Sequence, residues 1–247
     1  MTQFQEHDIE WTDEKVARMW DYYQRALTSG MYFGAQSGQH ATYLINKHIG
    51  FSRLRNIIDL SCGRGDIIQA CLPYLKDSQL IFGSDFSKAS VEAVNTRFQE
   101  AKRFGGAFPA KSYPLYFEDG EFDLVISTEV VEHLTDNEFD SMIAEACRLL
   151  RPGGFIFITT PNDEDLIANT AICPDCGCKF HHWQHMRSWN VRSLEERMEL
   201  HGFKSLHVQP VAWAENTPKR ILFTLAARLK LKVETGLVYV GRLHQEG

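Results

Sequence analysis

The chain has 247 residues, 44% of them hydrophobic and 12% aromatic, so the sequence predicts a well-packed globular protein and argues against intrinsic disorder. Its formal net charge is −6, from 26 lysines and arginines against 32 aspartates and glutamates, and it has no dense basic run, so we expect no nucleic-acid partner. No apolar stretch reaches the roughly 20 residues that span a bilayer, and the N-terminus MTQFQEHDIEW is polar and acidic, unlike a signal peptide, so we expect no membrane partner.

The first fifty residues predict two helices. Apolar residues recur at helical spacing within residues 11–27, and a second helical stretch follows at about 39–49. We expect residues 1–50 to form a helical lid or substrate cap, and residues 51–247 to form the main domain.

From residue 56 onward, short apolar runs alternate with amphipathic helical stretches. Buried strands are predicted at 56–60, 80–85, 122–127 and 155–159, with a further strand expected between 104 and 116, where the periodicity is poor. Helices are predicted at 67–75, at 87–98 and along the stripe from Phe139 to Leu150, which stops before Pro152. The remainder predicts a helix near 193–201, a strand near His207, an amphipathic helix from Pro218 that includes residues 219–232, and a last strand LVYVGRL. This alternation is typical of an α/β fold with a doubly wound, mostly parallel sheet of seven strands.

The segment IIDLSCGRGD (57–66) joins the first predicted strand to the next helix through a glycine-containing turn. Asp59 lies near the end of the strand, and Ser61, Gly63 and Gly65 lie in the turn. In a doubly wound sheet this turn faces the ligand crevice, and glycines let a ligand approach the backbone closely. The spacing is not the G-x-G-x-x-G of dinucleotide-binding proteins, and no GK[ST] of a nucleotide triphosphate loop is present.

Three sequence blocks, in this order, resemble the class I S-adenosylmethionine-dependent methyltransferases: IIDLSCGRGD, GSDFS (83–87), and FEDGEFDLVISTEVVEHL followed by LLRPGGFIFITTPN. The likeness runs from about Asn56 to Asn162. It implies a Rossmann-like methyltransferase fold and S-adenosylmethionine as the methyl donor, with Asp85 binding the ribose hydroxyls and Phe86 stacking on adenine. The family pattern implies eight cofactor-binding positions in all: Asp59, Ser61, Gly63, Gly65, Asp85, Phe86, Ser127 and Glu129. Ser61 stands where the family usually has a glycine, and the acid that commonly follows the third strand has no clear equivalent.

The segment EVVEHL places Glu129, Glu132 and His133 at positions i, i+3 and i+4, which share one face of a helix. Such a set could hold a divalent cation, and some methyltransferases that act on hydroxyls resemble it in carrying E-x-x-E-H with a further histidine. The sequence favours the alternative, that these acids begin a helix, because octahedral magnesium needs more fixed ligands than three. His133 is also a candidate general base, since methyl transfer to a hydroxyl requires removal of a proton.

The segment ICPDCGCKFHHWQHMRSW (172–189) is rich in cysteine and histidine. Its C-x₂-C-x₄-H-x₃-H spacing offers Cys173, Cys176, His181 and His185 as a tetrahedral ligand set, so we expect a structural zinc in an insert at about 170–190 that follows the fifth strand. Cys178 and His182 are spare ligands. The other cysteines are scattered, which suits reduced thiols in a cytoplasmic protein. The segment also resembles CPxCxxxFHxWQHxRSW, which occurs in a group of bacterial methyltransferases.

Aromatic and polar residues of this insert are predicted to face the acceptor, with a second pocket wall at residues 31–33. The predicted substrate contacts are Tyr32, Phe33, Trp183, Gln184, Arg187 and Trp189. The alternative is that both tryptophans pack the insert onto the sheet. We expect methylation of a hydroxyl on a small soluble acceptor, such as a sugar or a secondary-metabolite precursor. The alternatives are N-methylation of a small heterocyclic metabolite, metal-assisted O-methylation through Glu129, Glu132 and His133, and, least favoured, RNA modification. The sequence does not predict an oligomeric state.

Overall fold

The computed structural model describes residues 4–26, 32–213 and 235–244. Its helices are α1 (Asp13–Ala26), α2 (Phe33–His48), α3 (Asp66–Cys71), α4 (Lys88–Phe98), α5 (Asp136–Leu149) and α6 (Val191–Leu200). Its strands are β1 (His7–Asp8), β2 (Asn56–Leu60), β3 (Leu80–Asp85), β4 (Phe104–Pro109), β5 (Phe122–Thr128), β6 (Leu150–Pro161), β7 (Thr170–Ile172), β8 (Cys178–His181), β9 (Phe203–Val211) and β10 (Gly236–Leu243). Met31 and the helix predicted from Pro218, with residues 219–232, lie outside the described residues.

Seven strands form one large sheet in the order β4-β3-β2-β5-β6-β10-β9. The first five of these run parallel to one another, and β10 lies antiparallel between β6 and β9. The predicted doubly wound, mostly parallel sheet is therefore confirmed. Because the chain moves outward from β2 in both directions, the carboxyl ends of β2 and β5 border the switch point, where ligands of such sheets bind.

Local sequence explains why the helices begin where they do. The Ser87 hydroxyl accepts a hydrogen bond from the Ser90 N–H at the start of α4, and Thr135 and Glu138 form a capping box at the start of α5. The Pro152 region, which ends the α5 stripe as predicted, is already part of β6, because that strand begins at Leu150. In the described part of the chain, no helix is both long and apolar enough to cross a membrane.

Helix α2 belongs to the core of the main domain. Its residues Ala41, Leu44 and Ile45 are at most 3% exposed and pack in one cluster with Ile57 of β2 and Ile68 of α3. Burial of this face ties α2 to the sheet, so this part of the predicted lid of residues 1–50 packs with the main domain.

The N-terminal segment and the insert form a second, small sheet in the order β1-β8-β7. β1 pairs parallel with β8 through His7 and Cys178, and β7 pairs antiparallel with β8. Helix α1 reaches the same insert, since the Tyr23 hydroxyl donates to the His182 carbonyl at 2.7 Å. We call residues 5–26 and 163–186 together the cap, because they lie on the main domain as one unit.

Candidate functional site

The glycine turn after β2 is fastened to the end of β3 by Asp85. One carboxylate oxygen of Asp85 accepts from the Gly63 N–H at 2.8 Å, and the other accepts from the Ser87 N–H at 2.9 Å. Asp85 is only 4% exposed. Burial raises the pKa of this carboxyl group, although both N–H donors act in the opposite direction. The carboxylate therefore organises the turn as well as facing the crevice.

The turn uses left-handed backbone conformations. Ser61 (φ 62°), Gly63 (φ 52°) and Gly65 (φ 76°) all have positive φ, so Ser61 adopts the conformation for which the family uses glycine. A Cβ on Gly65 would lie 2.7 Å from a ring carbon of Phe98, whereas a Cβ on Gly63 would meet no atom within 4 Å. Gly65 thus permits close packing, and Gly63 borders open space that a ligand can enter.

Asp59 is a buried carboxyl group that lacks a hydrogen-bond partner. It is 1% exposed, and neither of its oxygens accepts a hydrogen bond from a described residue. Burial raises its pKa well above the usual value, and the neighbouring Asp85 and Asp66 raise it further. Because an unpaired buried carboxylate is costly, the site suits a ligand with a cationic or hydrogen-donating group, such as the amino group of S-adenosylmethionine.

The other predicted cofactor positions lie along the carboxyl edge of the same sheet. Phe86 follows β3 and is 47% exposed, so its ring is accessible to a ligand. Ser127, near the end of β5, is buried and its hydroxyl has no partner among the described residues. Glu129 follows β5 with a φ of 53°, and its carboxylate accepts from the Thr159 hydroxyl at 2.8 Å.

Glu132, His133 and His185 form a second feature of this edge, which we call the ligand triad. One potential metal-ligating atom from each of the three lies within 4.8 Å of those of the other two. Glu132 is 1% exposed, and its Oε2 accepts from the Thr160 hydroxyl at 3.0 Å. Its Oε1 has no hydrogen-bond partner among the described residues and lies 3.8 Å from His133 Nε2. Three donor atoms thus converge on one point.

Both imidazoles of the triad are oriented through their other ring nitrogen. His133 Nδ1 lies 3.4 Å from the Gln184 carbonyl oxygen, and His185 Nδ1 lies 2.5 Å from Glu164 Oε2. Each Nδ1 therefore carries the proton, and each Nε2 keeps a lone pair. Hydrogen bonds from the second ring nitrogen to a carboxylate or a carbonyl commonly orient histidines that bind a metal.

Burial has the largest effect on the pKa values of this cluster. Burial raises the pKa of Glu129 and raises that of Glu132 well above its usual value, with the Glu129 charge adding to the effect on Glu132. Burial and the neighbouring His185 lower the pKa of His133 to about 3. A neutral imidazole with so low a pKa is a weak proton acceptor, and the role of His133 as a general base stays a prediction.

The four predicted zinc ligands, Cys173, Cys176, His181 and His185, do not all lie together among the described residues. The Cys173 N–H donates to the Cys178 carbonyl at the turn of the β7–β8 hairpin, whereas His181 pairs with Thr170 at its other end. Three residues of strand separate the two ends by about 10 Å. Among the described residues, no group of three potential ligands includes a cysteine, and His181 and His185 instead meet Glu164.

Trp189 and Arg187, two of the predicted substrate contacts, pack the end of the insert against α5 and the turn before it. For Trp189 this favours the alternative that the tryptophans pack the insert onto the sheet. Trp189 is 6% exposed, its indole N–H donates to the Val131 carbonyl at 3.2 Å, and its ring lies against Phe139. Arg187 pairs with Asp136 at 2.8 Å and lies over the Trp189 ring.

Gln184 and Trp183 connect the cap to the triad. Gln184 is 4% exposed; its side-chain amide donates to the His133 carbonyl and accepts from the Trp20 indole N–H, both at 3.1 Å. Trp183 is 37% exposed and its ring lies 5.1 Å from that of Tyr23. Gln184 is therefore a structural link, while Trp183 remains accessible to an acceptor.

The predicted second pocket wall separates into two different contacts. The guanidinium of Arg64, in the glycine turn, lies over the Tyr32 ring at 5.1 Å, which places Tyr32 next to the cofactor turn. Phe33 is partly buried and packs edge-on against Trp213 and against the core, and its contact with a substrate stays a prediction.

Sequence reasoning missed three residues of the site. Trp20 and Tyr23 read as a helix stripe, but the Trp20 ring lies edge-on over His133 at 5.3 Å and covers the triad. Glu164 lies in an acidic loop after β6, where nothing in the sequence distinguishes it from its acidic neighbours Asp163 and Asp165.

Comparisons with known proteins indicate a methyltransferase. Residues 6–208 match the model of a methyltransferase domain family. A probable S-adenosylmethionine-dependent methyltransferase of Mycolicibacterium smegmatis is 27% identical over 153 residues, which are 61% of this chain and 52% of the relative. A ubiquinone biosynthesis O-methyltransferase of Mesorhizobium japonicum is 30% identical over 112 residues, which are 45% of this chain and 43% of the relative. The chain thus spans about half the length of the curated relatives that it matches.

Among solved structures, the 1,6-didemethyltoxoflavin-N1-methyltransferase of Burkholderia thailandensis, with 1,6-didemethyltoxoflavin and S-adenosylhomocysteine bound, superposes with a TM-score of 0.65. The alignment covers 96% of this chain and 92% of that one at 15% identity, which shows a shared fold. The family match covers most of the chain and includes the glycine turn, Asp85 and the triad residues. The chain therefore belongs to this methyltransferase domain family and, as its three sequence blocks predicted, to the class I S-adenosylmethionine-dependent methyltransferases.

Proposed function

We propose that the protein transfers the methyl group of S-adenosylmethionine to a hydroxyl oxygen of a small soluble acceptor, such as a sugar or a secondary-metabolite precursor. The observation that carries this proposal is the ligand triad, with Glu132 buried and both histidines partly buried, at the carboxyl edge of the sheet that also bears the glycine turn. A hydroxyl must lose its proton as the methyl group arrives, and a site of carboxylates and imidazoles is suited to that task. The six free cysteines support the reducing cytoplasm as its compartment.

The cofactor would lie across the ends of β2, β3 and β5. Asp85 would accept the ribose hydroxyls, and Phe86 would offer its exposed ring to adenine. Gly63 would let the methionine part approach the turn, and Asp59 would receive its amino group. The supporting observations are the unpaired oxygens of Asp59 and the open space beside Gly63.

The cap would exclude water and position the acceptor. The Trp20 ring covers His133, and the exposed face of Trp183 lies against Tyr23. Alignment of acceptor and sulfonium provides much of the acceleration in such a transfer, so an enclosing aromatic wall is useful whichever acceptor is bound.

A second candidate is metal-assisted O-methylation, and the free donor atoms of the triad favour it. Glu132 Oε1, His133 Nε2 and His185 Nε2 would hold a divalent cation, with Glu129 close enough to influence it electrostatically. Two imidazoles suit zinc, iron, copper or nickel better than magnesium. When bound, such a cation would act as a Lewis acid and lower the pKa of an acceptor hydroxyl.

The experiment uses labelled S-adenosylmethionine and a fractionated small-molecule extract, with and without a chelator. We expect label in a small molecule, attached to oxygen, as shown by the chemical shift of the product methyl group. Label on nitrogen would favour the heterocyclic alternative, and label only in RNA or protein would contradict the proposal.

His185→Ala and His182→Ala test the metal-assisted candidate as a matched pair. His182 is an exposed histidine of the same insert, outside the triad. We expect chelation or loss of His185 to reduce turnover strongly and loss of His182 to leave it near the wild-type value. Full turnover under chelation would reject the metal-assisted candidate without affecting the O-methylation proposal.

A further inference from the structure

Glu164 is the residue through which the insert acts on the ligand triad. It lies in the loop between β6 and β7, and its side chain is 12% exposed. Its carboxylate contacts three groups: His185 Nδ1 at 2.5 Å, the Asn169 side-chain amide at 3.1 Å and His181 Nε2 at 3.4 Å. Three nitrogen-bearing side chains of the insert and its flanking loop thus face this one carboxylate.

His181 supports Glu164 and is not itself suited to bind a cation. Its Nδ1 accepts two backbone N–H groups, from Trp183 at 3.2 Å and from His185 at 3.1 Å. The proton of the neutral ring must therefore be on Nε2, the atom that faces Glu164. With one nitrogen accepting and the other protonated, His181 has no free lone pair for a metal.

His185 has the opposite arrangement of proton and lone pair. Its Nδ1 faces the Glu164 carboxylate, which can only accept a hydrogen bond, so Nδ1 carries the proton. Its Nε2 then has a lone pair for the triad, where the His133 ring lies edge-on at 4.8 Å. Glu164 thus determines which nitrogen of His185 is available.

The backbone before His185 is held in an unusual conformation. Gln184 has a φ of 61°, a left-handed conformation that non-glycine residues adopt rarely. Its N–H donates to the His181 carbonyl at 3.0 Å, and its side chain is tied to His133 and Trp20. Strained backbone of this kind persists where surrounding contacts fix it, and it is concentrated at functional sites. Here the Gln184 backbone places the His185 ring between Glu164 and the other two triad residues.

We propose that Glu164 is a positioning residue that fixes the His185 proton on Nδ1, so that the insert supplies His185 Nε2 as the third ligand of the triad. This inference rests on the proposed metal-assisted function for its purpose, but the position of the proton can be measured without a metal. Outer-sphere carboxylates that hold a ligating histidine typically contribute 10- to 100-fold to metal affinity.

The test compares Glu164→Gln with Asp163→Asn. Glutamine keeps the shape of the side chain, but its amide can also donate to Nδ1 and so allow the wrong tautomer. Asp163 is an exposed neighbour with a φ of 47°, where asparagine is tolerated well, so its substitution removes the same charge outside the cluster. Each metal-free protein is labelled with ¹⁵N-histidine to identify the protonated nitrogen of His185, and each is then titrated with cobalt(II), followed by its visible absorption.

We expect wild type and Asp163→Asn to show His185 protonated on Nδ1 and to bind cobalt equally. Glu164→Gln should show a mixture of tautomers and bind about 10- to 100-fold more weakly. A wild-type His185 protonated on Nε2 would overturn the inference, and this measurement does not depend on any variant folding. Equal cobalt affinity in Glu164→Gln would overturn it as well. If wild type shows the Nδ1 proton but binds no cobalt, the metal-assisted candidate fails while the positioning role of Glu164 stands.

Discussion

Replacing Asp85 by asparagine tests whether this carboxylate organises the cofactor turn. Its two oxygens accept from the N–H groups of Gly63 and Ser87 at 2.8 and 2.9 Å. Asparagine retains one acceptor oxygen and places an NH₂ group against the other N–H donor, so one charge-assisted hydrogen bond worth about 1.5–3 kcal/mol is lost. The ligand must then supply that free energy to order the turn. At about 1.4 kcal/mol per factor of ten, the dissociation constant of S-adenosylhomocysteine should rise about 10- to 100-fold.

Isothermal titration calorimetry with S-adenosylhomocysteine measures this change, and a thermal melt confirms that the variant is folded. Asp77→Asn is the matched control, because Asp77 is an exposed acid before the start of β3, at the opposite end of that strand from Asp85, and pairs with Arg103 on the surface. Exposed ion pairs contribute at most about 1 kcal/mol, so the control should change the dissociation constant less than about fivefold. Unchanged affinity in a folded Asp85→Asn protein would show that neither the turn nor the binding of the ribose depends on the carboxylate.

Two further predictions concern packing and pH. Trp189→Ala should lower the free energy of unfolding by about 3–5 kcal/mol and the melting temperature by about 6–20 °C. Trp183→Ala, at a position 37% exposed, should change the melting temperature much less. Differential scanning fluorimetry checks this, and a normal melting temperature of Trp189→Ala with a raised KM for the acceptor would instead indicate that Trp189 is a pocket wall. Burial, with a smaller effect from the stacked His207, lowers the pKa of His48 from 6.5 to about 4. Between pH 4 and 6.5 the unfolded chain therefore binds more protons than the folded protein. The free energy of unfolding should fall as the pH drops from 6.5 to about 4. His48→Gln should make the decline shallower in urea unfolding series across that range, and an unchanged slope would show that this pair does not couple folding to protons.

The sheet and the cofactor turn could be predicted from the sequence because their signals are local. The apolar run before Gly63 and the acid at Asp85 each occupy a few consecutive residues that also form one structural unit. Ser87 predicted the start of α4 for the same reason, since its hydroxyl caps the helix that it begins. Where the chemical information lies within one strand end or one turn, reading along the chain is sufficient.

The predicted zinc ligands are close along the chain, but the register of the β7–β8 hairpin sets their distances in space. Four residues between Cys176 and His181 look close enough for a shared ion, but an extended strand carries the histidine away from the turn. Glu164 could not be predicted for the converse reason. Its importance comes from His185, which lies 21 residues later and meets it only after the insert folds back.

The small sheet formed by β1, β8 and β7 has a consequence for the order of folding events. Trp20 and Gln184, which fasten α1 to the insert, are 164 residues apart in the chain. A contact that closes so long a loop gains little from local structure and forms after the elements between its ends are in place. Such a unit also opens more readily than the central strands of a large sheet. Amide hydrogens of β8 should therefore exchange with solvent before those of β6. Such a difference would mean that the cap can open and close while the large sheet stays folded.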